Sequence, residues 1–99
     1  MASQAFAKDL DRAKLDEARS NVAEAGLLER QFAAGRVTEA YADALRQDLR
    51  KSLVKLKKEP PLASAMRAAL DAIDRHDGEA LSALADQLAT KERALGRTG

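Results

Sequence analysis

Residues 27–58 read LLERQFAAGRVTEAYADALRQDLRKSLVKLKK, and this stretch decides the fold. Gly35 follows Ala33-Ala34, the place where a helix that closes on a left-handed residue puts glycine. Thr38 can cap a new helix, because its side-chain oxygen accepts from a backbone N–H left free in the first turn. Glu39 then sets a negative charge at the positive end of that helix. The new helix is expected over about Glu39 to Lys58, with Tyr41, Leu45, Leu49, Leu53 and Leu56 as its apolar stripe. Lys55, Lys57 and Lys58 fall in its last turn, where cations suit the dipole. A helix, a capped turn and a second helix running back make a helical hairpin.

Working upstream, residues Ser3 to about Ala34 carry apolar residues at helical steps. Phe6, Leu10 and Ala13 share one stripe; Leu15, Ala18, Val22, Ala25 and Phe32 continue it, with Leu28 alongside. Asn21 has Glu24 three residues later, a capping-box pattern at which a helix can restart. Gly26 costs roughly 1 kcal/mol against alanine inside a helix. The segment is read as one long helix in which these two points allow a kink.

Working downstream, Pro60-Pro61 ends the second helix and opens a third. The third is expected over about Leu62 to Arg75, with Leu62, Met66, Ala69, Leu70 and Ile73 on one side. His76-Asp77-Gly78 reads as a short turn, with Asp77 capping a fourth helix that carries Leu81, Leu84, Ala85, Leu88 and Leu95. Residues 96–99 are expected to be a disordered tail. The whole is therefore an all-α, small antiparallel bundle of four helices in one domain over residues 1–99: a long hairpin followed by a shorter one.

Composition agrees. Of the 99 residues, 45% are hydrophobic, and 22 of those residues are alanine. Alanine is the best helix former but buries little area, so the core available to one chain is thin. Sharing a core with a second copy or a partner is one way around that. Four Val and Ile residues and three aromatics, Phe6, Phe32 and Tyr41, are too few for a large sheet. There is no cysteine, which excludes disulfides and thiolate metal sites. No uncharged run is long enough to span a bilayer, and the first residues lead straight into Lys8 and Asp9 without the apolar stretch of a secretory signal. A cytoplasmic protein is the expectation.

Residues 27–49 resemble the helix–Gly–Val–Thr–helix pattern of SHOCT-type short C-terminal domains, through Leu28, Phe32, Gly35, Val37, Thr38, Tyr41 and Leu45. The resemblance covers this mid-chain hairpin alone. It implies a closed helical hairpin, and no function is carried over from it.

Chemistry is sparse. His76 is the single histidine. With Asp74 and Asp77 it could in principle hold a metal or pair an acid with a base, but a transition-metal site needs three or four convergent ligands. The better reading is a helix end, with His76 near a C-terminus that favours a cation and Asp77 as the next cap. The serines, Ser3, Ser20, Ser52, Ser64 and Ser82, lie in no nucleophile pattern. The glycines are isolated and form no phosphate loop. No catalytic residue, metal ligand, cofactor or small-molecule substrate is expected.

Charge is more telling. Net charge is +1, yet six basic residues and one acid lie between Arg46 and Lys58, while five acids lie between Asp71 and Asp86. Arg46, Arg50, Lys51, Lys55, Lys57 and Lys58 fall outside the apolar stripe of the second helix, which makes them the candidate contacts for a partner or for nucleic acid. Phe6, Leu10, Leu15, Val22, Leu28, Phe32, Tyr41, Leu45, Leu49, Leu53 and Leu56 are the candidate core or apolar interface. The expected function is a non-enzymatic protein-interaction module, a small adaptor, regulator or inhibitor working as a helical homo-oligomer. The alternative is a small nucleic-acid-binding protein that uses the basic face.

Overall fold

A computed structural model of the chain describes the backbone of residues 2–98 and the side chains of residues 12–95. Four helices follow in order: α1 over Ala2–Ala33, α2 over Glu39–Lys57, α3 over Ala63–Asp74 and α4 over Gly78–Thr98, with a 3-10 turn at Pro60–Leu62 before α3. No strand occurs among the described residues. The bundle measures 50 × 23 × 16 Å. Its long axis is set by α1, since a helix of 32 residues is about 48 Å long.

Each helix packs on the next, and α4 closes the ring by returning to α1. The α1–α2 turn forms as its residues dictate. Gly35 takes φ 71°, and the Arg36 N–H donates to the Gln31 carbonyl at 2.9 Å, which closes α1 with the six-to-one bond of a Schellman motif. Thr38 Oγ1 accepts from the Tyr41 N–H at 3.1 Å. At the other corner the same motif recurs without glycine: the Asp77 N–H donates to the Ala72 carbonyl at 2.9 Å, and His76 holds the left-handed position at φ 56°. Asp77 Oδ1 then caps α4 by accepting from the Ala80 N–H at 3.0 Å.

α1 is one helix through both of its weak points, as the sequence reading has it. Asn21 Nδ2 donates back to the Glu17 carbonyl at 2.9 Å instead of starting a new helix. Gly26 is a contact point: a Cβ there would lie 3.3 Å from Leu81 Cβ and 3.3 Å from the Ser82 backbone nitrogen. Gly78 faces the same seam, where an added Cβ would meet Arg30 Cγ at 3.1 Å and the Gly26 carbonyl at 3.3 Å. The two glycines let α4 approach α1 closely, and α4 packs more extensively on α1 than on its hairpin partner α3. Finally, α4 continues through Gly96 to Thr98, where the sequence suggested a loose tail.

The core runs along the bundle axis. Leu15, Ala18, Val22, Ala25 and Leu28 enter from α1, Ala42, Leu49, Leu53 and Leu56 from α2, Met66, Ala69, Ala72 and Ile73 from α3, and Leu81, Ala85 and Leu88 from α4. Phe32 and Leu45 are partly buried against it. Of the expected core, Phe6 and Leu10 lie outside the residues whose side chains are described. Tyr41 is the exception among the rest, at 55% exposed.

Tyr41 is exposed for a geometric reason. Steps of four residues, as in Tyr41, Leu45, Leu49 and Leu53, drift by roughly 40° per step around a helix. The buried line of α2 is Ala42, Arg46, Leu49, Leu53 and Leu56, which alternates four- and three-residue steps and stays on one side. Tyr41 stands roughly 60° outside that arc.

Candidate functional site

The buried line of α2 contains an arginine, and the buried line of α1 contains a glutamate. Glu29 is 2% exposed and Arg46 is 5% exposed. Arg46 Nε donates to Glu29 Oε2 at 2.7 Å and Arg46 Nη2 to Glu29 Oε1 at 2.9 Å, the two-pronged geometry that guanidinium and carboxylate prefer. Arg46 Nη1 reaches Asp43 Oδ1 at 2.7 Å, and its guanidinium carbon sits 4.6 Å from the centre of the Phe32 ring. The Glu29 hydrogen bond, ahead of all other effects, raises Arg46 above its ordinary value, with Asp43 adding to it. Arg46 is therefore a fixed cation inside the hairpin. The expectation that it belongs to a solvent-facing basic surface is corrected: it lies on the core line of α2 and is spent within the chain.

A third group joins the pair from the other hairpin. His76 Nδ1 is 3.1 Å from Glu29 Oε1, and the histidine ring lies 5.7 Å from the Phe32 ring. An ionised carboxylate only accepts, so Nδ1 is the donor. Glu29 thus ties together α1, α2 and the α3–α4 corner. No buried side-chain nitrogen or oxygen lacks a partner among the described residues. The cluster is closed, and its chemistry is that of a structural joint.

The signal for this joint was present. Leu15, Ala18, Val22, Ala25, Glu29 and Phe32 alternate three- and four-residue steps, so Glu29 occupies a core position; Arg46 does the same between Ala42 and Leu49. A charge on a buried line calls for a buried partner of opposite sign.

The other basic residues of α2 divide. Arg50 Nη2 pairs with Asp74 Oδ1 on α3, which binds part of the acidic stretch to part of the basic one. Lys57 is half-buried near the helix end. Lys51, Lys55 and Lys58 are exposed, and no ion pair among the described residues engages them. Steps of four and three residues put them in one line on the side opposite the core.

Elsewhere, Arg19 joins α1 to α4, with Nε 2.5 Å from Glu92 Oε1 and Nη2 2.7 Å from Asp16 Oδ1. Arg30 Nη2 hydrogen-bonds Ser82 Oγ across the glycine seam. No group of three or more His, Asp or Glu side chains that could hold a metal occurs among the described residues.

The chain matches no protein-family model, no curated protein and no solved structure. Its function has to be sought in its own residues. No described helix is long and apolar enough to cross a membrane. Two sets of exposed side chains lie on the α1–α2 hairpin. The exposed large apolar side chains among the described residues, Leu27, Tyr41 and Val54, all lie on it, and so does the free lysine line.

Proposed function

We propose that this protein is a non-enzymatic interaction module, a small adaptor, regulator or inhibitor that acts as a helical homo-oligomer. One observation carries the reading: Leu27, Tyr41 and Val54 are 56%, 55% and 43% exposed, and all three belong to the hairpin of α1 and α2. Scattered exposed apolar residues are ordinary; these three point in different directions, but they leave apolar area on this half of the bundle that a partner could cover. The alanine-rich core supports the same reading, because a chain with little area to bury gains from association.

Sedimentation velocity over a wide concentration range tests it. Mass that rises with concentration is the expected result. A cooperative monomer at every concentration would remove the homo-oligomer.

The nucleic-acid reading takes second place. Arg46 and Arg50 are committed within the chain, and three lysines on one line offer few phosphate contacts. Mobility-shift measurements with duplex DNA and with RNA at about 50 and about 300 mM salt distinguish the two. Retardation that collapses at the higher salt would restore nucleic acid to first place.

A further inference from the structure

We propose that the outer face of the α1–α2 hairpin is a self-complementary surface, on which a second copy of this chain docks across a two-fold axis. The proposal deepens the self-association reading and rests on it.

The Glu29–Arg46 bond fixes the register of the hairpin. In an antiparallel pair, a step back along α1 is level with a step forward along α2. Glu24 therefore stands about level with Lys51, and Glu17 with Lys58. Each of these two pairs of like residues is seven positions apart, nearly two turns or about 10 Å. The hairpin thus carries an acidic row on α1 and a basic row of the same length at the same height on α2. Glu17, Glu24, Lys51, Lys55 and Lys58 are all exposed, and no ion pair among the described residues engages them.

The acidic row lies on the open flank of α1, and the basic row lies on the back of α2 next to that side, with Lys55 the nearest to it. Arg19 and Arg30 mark the flank of α1 that meets α4, and Glu17 and Glu24 lie on the opposite flank. Arg50, through Asp74, marks the flank of α2 that meets α3, and Lys51 and Lys55 lie away from it. Tyr41, more than half exposed, falls between the core line of α2 and the Lys55 line, on this same side. Asp48 is on this flank too, one turn before Lys51, and leaves the row with a surplus of positive charge.

Equal height is what makes the surface fit a copy of itself. A two-fold axis running along the groove lays α1 of one copy over α2 of the other at the same level. Glu24 then meets Lys51 of the second copy, Glu17 meets Lys58 of the second copy, and both pairs recur by symmetry. The interface is isologous and closes as a dimer. Exposed ion pairs add little affinity singly, but rows of them select the partner and make association sensitive to salt.

The test is sedimentation velocity of the full chain with charge-reversed variants. Wild type is expected to dimerise at about 50 mM salt and to weaken about tenfold or more at about 500 mM. K51E/K58E carries two acidic rows and E17K/E24K two basic ones, so each alone is expected to stay monomeric. An equimolar mixture of the two is expected to dimerise. Circular dichroism checks that each is folded; should the reversals unfold the chain, E17Q/E24Q and K51Q/K58Q are expected to weaken the dimer in the same assay.

If wild type dimerises and the reversed variants self-associate equally well, or the mixture stays monomeric, this surface is wrong and self-association stands. A wild type that is monomeric throughout overturns both. Retardation of duplex DNA that depends on Lys51 and Lys58, without self-association, assigns the basic row to nucleic acid instead.

Discussion

Glu29 and Arg46 meet in two hydrogen bonds of 2.7 and 2.9 Å inside the hairpin, where neither side chain is more than 7% exposed. Removing one member strands the other as a buried charge, whereas removing both leaves only a shape to fill. Arg46→Leu is expected to cost about 2 to 4 kcal/mol in denaturant unfolding, and the double variant E29L/R46L to recover most of that loss. Equal losses in single and double variants would show that the pair acts by something other than charge compensation.

His76 sits at φ 56°, the left-handed conformation that any residue with a Cβ enters at a cost. It also donates to Glu29. The two effects separate by substitution. His76→Ala loses the hydrogen bond and keeps the strain; His76→Gly loses the bond and relieves the strain. The glycine variant is expected to be more stable than the alanine variant by about 1 kcal/mol, read from denaturation midpoints at constant slope. An alanine variant as stable as the glycine one would mean that the corner relaxes.

Gly26 tests the seam between α1 and α4. Alanine at an open helical position would stabilise by roughly 1 kcal/mol. Here the new Cβ would press on the Ser82 backbone nitrogen and Leu81 Cβ, each at 3.3 Å. Gly26→Ala is expected to destabilise by about 1 kcal/mol or more, since backbone cannot move aside as a flexible side chain does. A rise in thermal midpoint would show that α4 can shift outward at little cost.

The α1–α4 pin predicts an acid limb. Hydrogen bonding from Arg19, with Glu92 sharing the cluster, holds the Asp16 carboxyl below its ordinary 3.8. A carboxyl depressed in the folded state contributes stability that is present above its unfolded value and lost as pH falls through the folded one. The contribution is therefore complete at neutral pH and fades below about pH 4. Arg19→Gln is expected to flatten the decline in unfolding free energy below pH 4 and leave its shape near neutrality unchanged. An acid limb identical to wild type would place the proton uptake elsewhere.

Much of this fold is legible in the linear chain, because its causes are local. Gly35 and Thr38 punctuate the first hairpin by the φ freedom and the side-chain oxygen that the turn needs. Asp77 caps α4 for the same kind of reason. Helical spacing places Leu15, Val22, Leu28, Leu49, Leu53 and Leu56 in the core, because a residue's face follows from its position in a 3.6-residue period. Lys51, Lys55 and Lys58 are equally readable as surface residues, since nothing outweighs the hydration of an unpaired ammonium group.

What tertiary structure alone decided is how the helices rotate and how closely they approach. A rotation of α2 by roughly 40° from its most obvious apolar stripe exchanges Tyr41 for Arg46 at the core line. That exchange is favourable only because Glu29 waits at the matching height on α1, and His76 comes in from the far corner. Gly26 reads as a weak point in one helix and becomes a contact point only when α4 lies across it. Periodicity and caps depend on neighbours within a few residues, so the elements and their order follow from the linear chain. Spacing can set Glu29 and Arg46 on core lines, but which charge meets which, and which glycine lies under a crossing helix, depend on partners far along the chain, so packing had to assign them.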